Sequence, residues 1–185
     1  MKRLQLLLSA AAVARTLTRC ILTSVYPFYT DNDLTFDPKL IGTWSKASEK
    51  ETWQFEREGD KSYKLTLISD NKTNVVQAHL FKLKEMSYLD LYSQDSNWEG
   101  AVPPIPAHMV LRVLEISKEL KLAAPNHDAV RQLLEKDPGL TPHLMLNKED
   151  KPENRRVVLT GTTPQLQKFL TRDLKKEEIW SDSVE

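Results

Sequence analysis

The sequence predicts a mainly β domain: an antiparallel meander of about nine strands, forming a curled sheet or barrel-like body, with two short helices. Three observations predict it. Short runs alternate apolar and polar residues, clusters of Gly, Pro, Asn and Asp separate them at close intervals, and only two stretches carry helical spacing. Because the turns are tight and no long crossover intervenes, consecutive strands pair as neighbours. An α+β sheet with helices on one face is the alternative arrangement.

The elements follow in order. Asp37-Pro38 starts a turn or short helix, and Gly42-Thr43-Trp44 opens the first expected strand. Glu51 to Glu56 puts Trp53 and Phe55 on one face, Gly59-Asp60 makes the hairpin turn, and Tyr63, Leu65 and Leu67 repeat the alternation. Asp70-Asn71-Lys72-Thr73 leads into Val75 to Leu83, whose apolar residues fall on both faces, so this strand is expected to be buried on both sides. Lys84 to Ser87 turns the chain into Tyr88 to Tyr92. Beyond an irregular stretch, His108 to Ile116 and Glu119 to Ala123 form a further pair joined by Ser117-Lys118.

Asn126 is an expected N-cap, with Val130, Leu133 and Leu134 as the apolar stripe and Asp137-Pro138-Gly139 as the stop. Thr163 and Pro164 begin the second helix, in which Leu166, Phe169, Leu170 and Leu174 share a face. Strands near His143 to Leu146 and Arg156 to Thr160 lie between the two, connected by the polar loop Asn147 to Asn154.

Composition narrows the function. The chain has 185 residues, with 26 Lys and Arg balanced by 26 Asp and Glu. That balance speaks against a nucleic-acid partner, since domains that neutralise many phosphates carry an excess of basic residues. A single cysteine forbids an internal disulfide.

The N-terminus reads as an export signal. Lys2 and Arg3 precede an apolar run from Leu4 to Ala14 that ends in small residues. The run is about half of the roughly 20 residues a membrane-spanning helix needs. Cys20 follows closely, in a placement that resembles the lipobox of bacterial lipoproteins, where the leader is cut before a cysteine that then carries lipid. Arg19 stands directly before it, where lipoboxes carry Gly, Ala or Ser. Residues 1–20 are therefore expected to be a signal peptide, residues 21–35 a tether turning into a packed lead-in, and residues 36–185 one domain. Removing the leader takes four basic residues and no acidic ones, leaving 22 basic against 26 acidic.

The stretch Phe36-Asp37-Pro38-Lys39-Leu40-Ile41-Gly42-Thr43-Trp44 resembles the first motif of lipocalins and related calycin barrels, where a helical turn leads into Gly-x-Trp. The resemblance implies that Trp44 closes a barrel floor and that Arg155 or Arg156 stacks on it. Taken whole, the leader, the lone early cysteine, the aromatic lead-in and Gly-Thr-Trp resemble uncharacterised bacterial envelope lipoproteins, a family with no activity to transfer.

Chemistry-bearing motifs are sparse. The sequence holds no Gly-x-Ser-x-Gly, no phosphate-binding glycine loop and no His-Glu-x-x-His. No cofactor is expected, and the reading is of a protein that is not an enzyme. His79 and His108 fall in strands that could be neighbours, and with Asp90 or Glu115 they offer a metal site; strand histidines with ordinary hydrogen-bond partners are the preferred reading. The apolar, proline-rich Ala101 to Pro106 is expected to cover a sheet edge in preference to forming a lid.

Two functions follow. The first is an exported, lipid-anchored protein of the bacterial cell envelope, facing the periplasm or the exterior, with a non-catalytic interaction or structural role; its partners are the membrane and an envelope protein. The alternative is a lipocalin-like binder holding a small apolar ligand among Trp44, Trp53, Phe55, Tyr63 and Phe81.

Overall fold

A computed structural model of the protein describes residues 22–45, 51–69, 72–93, 107–147, 151 and 155–180. The leader with Cys20, and the proline-rich residues 101–106, lie outside the described residues. Eleven strands form one mixed sheet: β1 (Thr23–Ser24), β2 (Leu34–Thr35), β3 (Gly42–Ser45), β4 (Glu51–Arg57), β5 (Tyr63–Ser69), β6 (Lys72–Leu83), β7 (Met86–Ser93), β8 (Ala107–Ile116), β9 (Leu120–Ala123), β10 (His143–Leu146) and β11 (Arg156–Leu159). Helix α1 spans His127–Lys136. Helix α2 spans Thr163–Lys168 and continues as a π-helical turn over Phe169–Asp173.

From β3 to β8 each strand pairs with the next in antiparallel register, which is the meander that the alternation predicts. The sheet does not close into a barrel: β3 and β10 stand at opposite ends of the strand order. β2 lies beside β6 beyond the end of β5, and β9 lies beside the far half of β8.

Residues 22–35 correct the expectation of a tether. Leu22 and Phe28 are fully buried, and β1 sits inside the sheet, antiparallel to β8 and parallel to β11. Sequence periodicity cannot reveal a two-residue strand, and the parallel pairing joins distant parts of the chain. With β2, likewise two residues long, β1 brings the strand count from nine to eleven.

Side chains alternate across the sheet, and each face builds its own core. On one face Leu22, Phe81, Tyr88, Val110, Val157 and Leu159 pack against Val130 and Leu134 of α1 and Leu166, Phe169 and Leu170 of the α2 region. The helices are held by local chemistry. The Asn126 side chain accepts the Ala129 N–H at 3.1 Å, and Gln165 Oε1 accepts the Thr162 N–H at 2.8 Å. On the other face Phe55, Tyr63, Leu65, Ala78, Leu80, Leu89, Leu111 and Leu122 form a second core, with Trp44 and Trp53 packed against it. β6 contributes to both cores, as its two-sided apolar pattern predicts.

Candidate functional site

The structure divides the five aromatics offered as a ligand lining. Trp44, Trp53, Phe55 and Tyr63 share one face, with Trp44 opposite Trp53 and Phe55 edge-on to Tyr63 at 6.3 Å. Phe81 lies on the opposite face, stacked on Tyr88 at 5.4 Å, because the period of two turns it away from Ala78 and Leu80. A site containing all five is therefore not formed.

The four that meet are engaged with their own neighbours. Trp44 Nε1 donates to the Leu40 carbonyl at 3.0 Å, and Trp53 Nε1 to Glu51 at 2.6 Å. The Tyr63 hydroxyl donates to the Asp37 carbonyl and accepts the Asp37 N–H, while Phe36 stacks on its ring at 4.9 Å. Burial raises the Tyr63 phenol above its ordinary value, the Asp37 backbone hydrogen bond working against that shift. The calycin-type stacking of Arg155 or Arg156 on Trp44 meets a different geometry: six strands separate β11 from β3 in the strand order, and Arg155 pairs with Glu135 of α1 at 3.0 Å.

Beside this core, Thr35, Phe36, Asp37, Leu80, Ser87 and the stretch Val113 to Ile116 line an open groove of about 420 Å³. Its lining mixes Phe36, Leu80, Val113 and Ile116 with the polar Thr35 and Ser87. Its rim carries the Asp37 and Glu115 carboxylates, and both are occupied: Asp37 accepts the Lys39 N–H, and Glu115 accepts from Ser117 and pairs with Lys121 at 3.1 Å.

A polar centre lies on the opposite face, within the helix-covered side of the sheet. Asp90 is fully buried on β7 between His79 of β6 and Val110 of β8, its direct cross-strand partners. Its Oδ1 lies 2.8 Å from Nδ1 of His108, and its Oδ2 accepts the Phe28 N–H at 3.2 Å. Tyr92 stacks on His108 with centroids 4.4 Å apart, and Tyr29 tilts over His79 at 4.8 Å. Burial, opposed by the Asp90 charge, lowers the His79 imidazole. Burial and then the Asp90 charge raise the Tyr29 phenol well beyond its ordinary value, so it stays neutral.

Ser24 is the cross-strand partner of His108, which assembles the residue types of a nucleophilic triad. The hydrogen bonds assign it otherwise. The Ser24 hydroxyl donates to the Tyr26 carbonyl and accepts the Tyr26 N–H, closing a local turn. The arrangement acts as a clamp: Asp90 ties the incoming segment at Phe28 to the middle of the sheet, while Thr163 and Gln167 of α2 bond the Pro27 and Phe28 carbonyls.

The strands of His79 and His108 are not neighbours as the sequence suggests: β7, which carries Asp90, lies between β6 and β8, and Glu115 stands apart with Lys121. Among the described residues no group of three His, Cys, Asp or Glu side chains is placed to hold a metal ion. Sequence reading missed the roles of Ser24, Phe28 and Tyr92. A signal for the clamp was present in the run Tyr88-Leu89-Asp90-Leu91-Tyr92, where a carboxylate shares a face with two aromatics and so must be buried with a partner. Comparisons with protein-family models, with curated proteins and with solved structures find no match.

Proposed function

We propose that the protein is an exported component of a bacterial cell envelope, anchored by lipid at Cys20, whose sheet domain has a non-catalytic structural or interaction role. The leader followed by a lone cysteine supports export and anchoring. The observation that carries the non-catalytic reading is the clamp: of the residues closest to a reactive constellation, Asp90 and Ser24 bond the chain's own backbone and His108 bonds Asp90. The second core argues in the same direction, since Phe55 and Tyr63 fill it themselves.

Fractionation and intact-mass measurement of the native chain and of Cys20→Ser test the anchor. The native protein is expected in the membrane fraction with a mass increment for acyl chains and loss of the leader, and Cys20→Ser without that increment. Equal partitioning of the two, with no increment in either, removes the anchor.

The apolar side chains Phe36, Leu80, Val113 and Ile116 in the open groove favour a second reading, a small apolar ligand held against them. Native mass spectrometry of the purified protein decides it: a co-purifying apolar molecule, lost on Leu80→Glu, supports the binder.

A further inference from the structure

The sheet leaves one apolar face uncovered, and the course of the chain places it. β10, β11 and β1 form one end of the strand order. Along them Leu144, Val158, Thr23 and Met109 form one cross-strand row. Met109 packs against the second core, which fixes the side on which the row lies. At the β10 end no described residue covers that side fully: Leu144 is 55% exposed and Leu146 45%. Their neighbours His143 and Met145 point the other way, Met145 into the helix-covered core. Two leucines side by side on an outer strand are a surface looking for a cover.

The covalent link to the anchor says which cover. Only Ile21 separates Cys20 from Leu22, and a two-residue link reaches at most about 7 Å. Leu22 is fully buried and leads straight into β1. No slack is left to hold the domain away from whatever surface receives the lipid. β1 runs parallel to β11, so the chain enters the sheet at the end where β11 begins, with Arg156, and where β10 finishes, with Leu146; these two are direct cross-strand partners. Leu146 stands two strand spacings from the line of β1, about 10 Å. The exposed leucines therefore lie at the point where the anchor enters.

We infer that the face of β10 and β11 bearing Leu144, Leu146 and Arg156 rests on the lipid surface beside the anchor. The inference depends on the anchored reading above. The two leucines enter the interfacial zone, as apolar groups of surface-bound segments do. Docking fixes the tilt of the domain on the membrane and turns the helix-covered face toward solvent.

The test uses the full chain, expressed with its leader, purified and reconstituted into vesicles of phosphatidylethanolamine and phosphatidylglycerol. Single substitutions Leu144→Cys and Leu146→Cys carry a polarity-sensitive fluorophore; Ile68→Cys and Val75→Cys serve as controls, being exposed apolar positions on other strands, at 39% and 50%. Docking predicts a blue shift at 144 and 146, with loss of emission when the acyl chains are brominated, and neither effect at 68 and 75. Equal behaviour at all four positions overturns it. So does a blue shift at 144 and 146 that rises with protein concentration in the absence of vesicles, which assigns the face to a second copy of the chain. Intact mass reads the anchor separately. If lipid is present on Cys20 and the probes stay unshifted, docking fails and the anchor stands. If lipid is absent, the anchor fails, and the same four probes in a Cys20→Ser background, with vesicles added, decide docking alone.

Discussion

Asp90 and His108 meet at 2.8 Å in the interior of the sheet, and the carboxylate's second oxygen holds the Phe28 N–H of the lead-in segment. One buried side chain thus joins β7, β8 and the stretch that precedes β2. Asp90→Ala leaves an imidazole and an amide without their acceptor, and a cost of about 3 kcal/mol is expected. Urea unfolding measures it. A midpoint equal to that of the native chain would show that the clamp contributes nothing.

The lead-in carries core side chains, so truncating them should behave as core truncation does. Leu22→Ala is expected to cost about 2–5 kcal/mol and Phe28→Ala about 3–5 kcal/mol. Thermal or urea unfolding of each variant checks this against Tyr26→Ala, a half-exposed neighbour expected to be nearly neutral. Three equal midpoints would restore the tether.

Burial holds the His79 and His127 imidazoles below their ordinary value of 6.5. At His79 the Asp90 and Glu58 charges oppose the shift and His108 adds to it; at His127 Asp128 opposes it, and Arg156 and Arg131 add to it. His79 Nδ1 and His127 Nε2 are also buried without a hydrogen-bond partner. As pH falls below 6.5 the unfolded chain takes up protons that the folded chain resists, so stability present above that value is lost on acidification. The urea midpoint is expected to fall between about pH 7.5 and about pH 5.5, and to fall less in His79→Gln/His127→Gln. The carboxylates Asp33 and Glu135 are lowered, so their contribution is lost in a separate, more acidic window. An unchanged fall in the double variant would move the titration to other groups.

Gly42 has φ of +144°, and a Cβ built on it meets nothing within 4 Å. Gly42→Ala therefore isolates backbone strain from steric crowding. A loss of about 1–3 kcal/mol is expected. Calorimetry of the variant reads it, and an unchanged melting temperature would show that β3 shifts its dihedral angles freely.

The meander was legible because it obeys local rules. The alternation around Trp53, Tyr63 and Leu89, the turn at Gly59-Asp60 and the Asn126 cap each follow from neighbouring residues, and the structure repeats them. What escaped is non-local. Thr23-Ser24 is too short to show a period, and its partners His108 and Leu159 stand far along the chain. Phe81 could not be assigned to a face while its strand read as apolar on both sides. The Asp90 centre was half visible: the residues Asp90, His79 and His108 were named, but the Phe28 N–H that gives Asp90 its task is a backbone group, and side-chain patterns are silent about backbone groups.

The position of β1 also has a kinetic meaning. A polypeptide leaves the ribosome with its N-terminus first, yet Thr23 pairs with Met109 and Val158, so the first strand to be made is among the last to find its place. The meander from β3 to β8 closes short loops and can collapse early, whereas seating β1 requires closure of a loop nearly as long as the domain, and such high contact order slows folding. Until β11 is synthesised, Leu22 and Phe28 have no complete core to enter. The segment from Leu22 to Phe28 therefore stays without its final partners through most of synthesis.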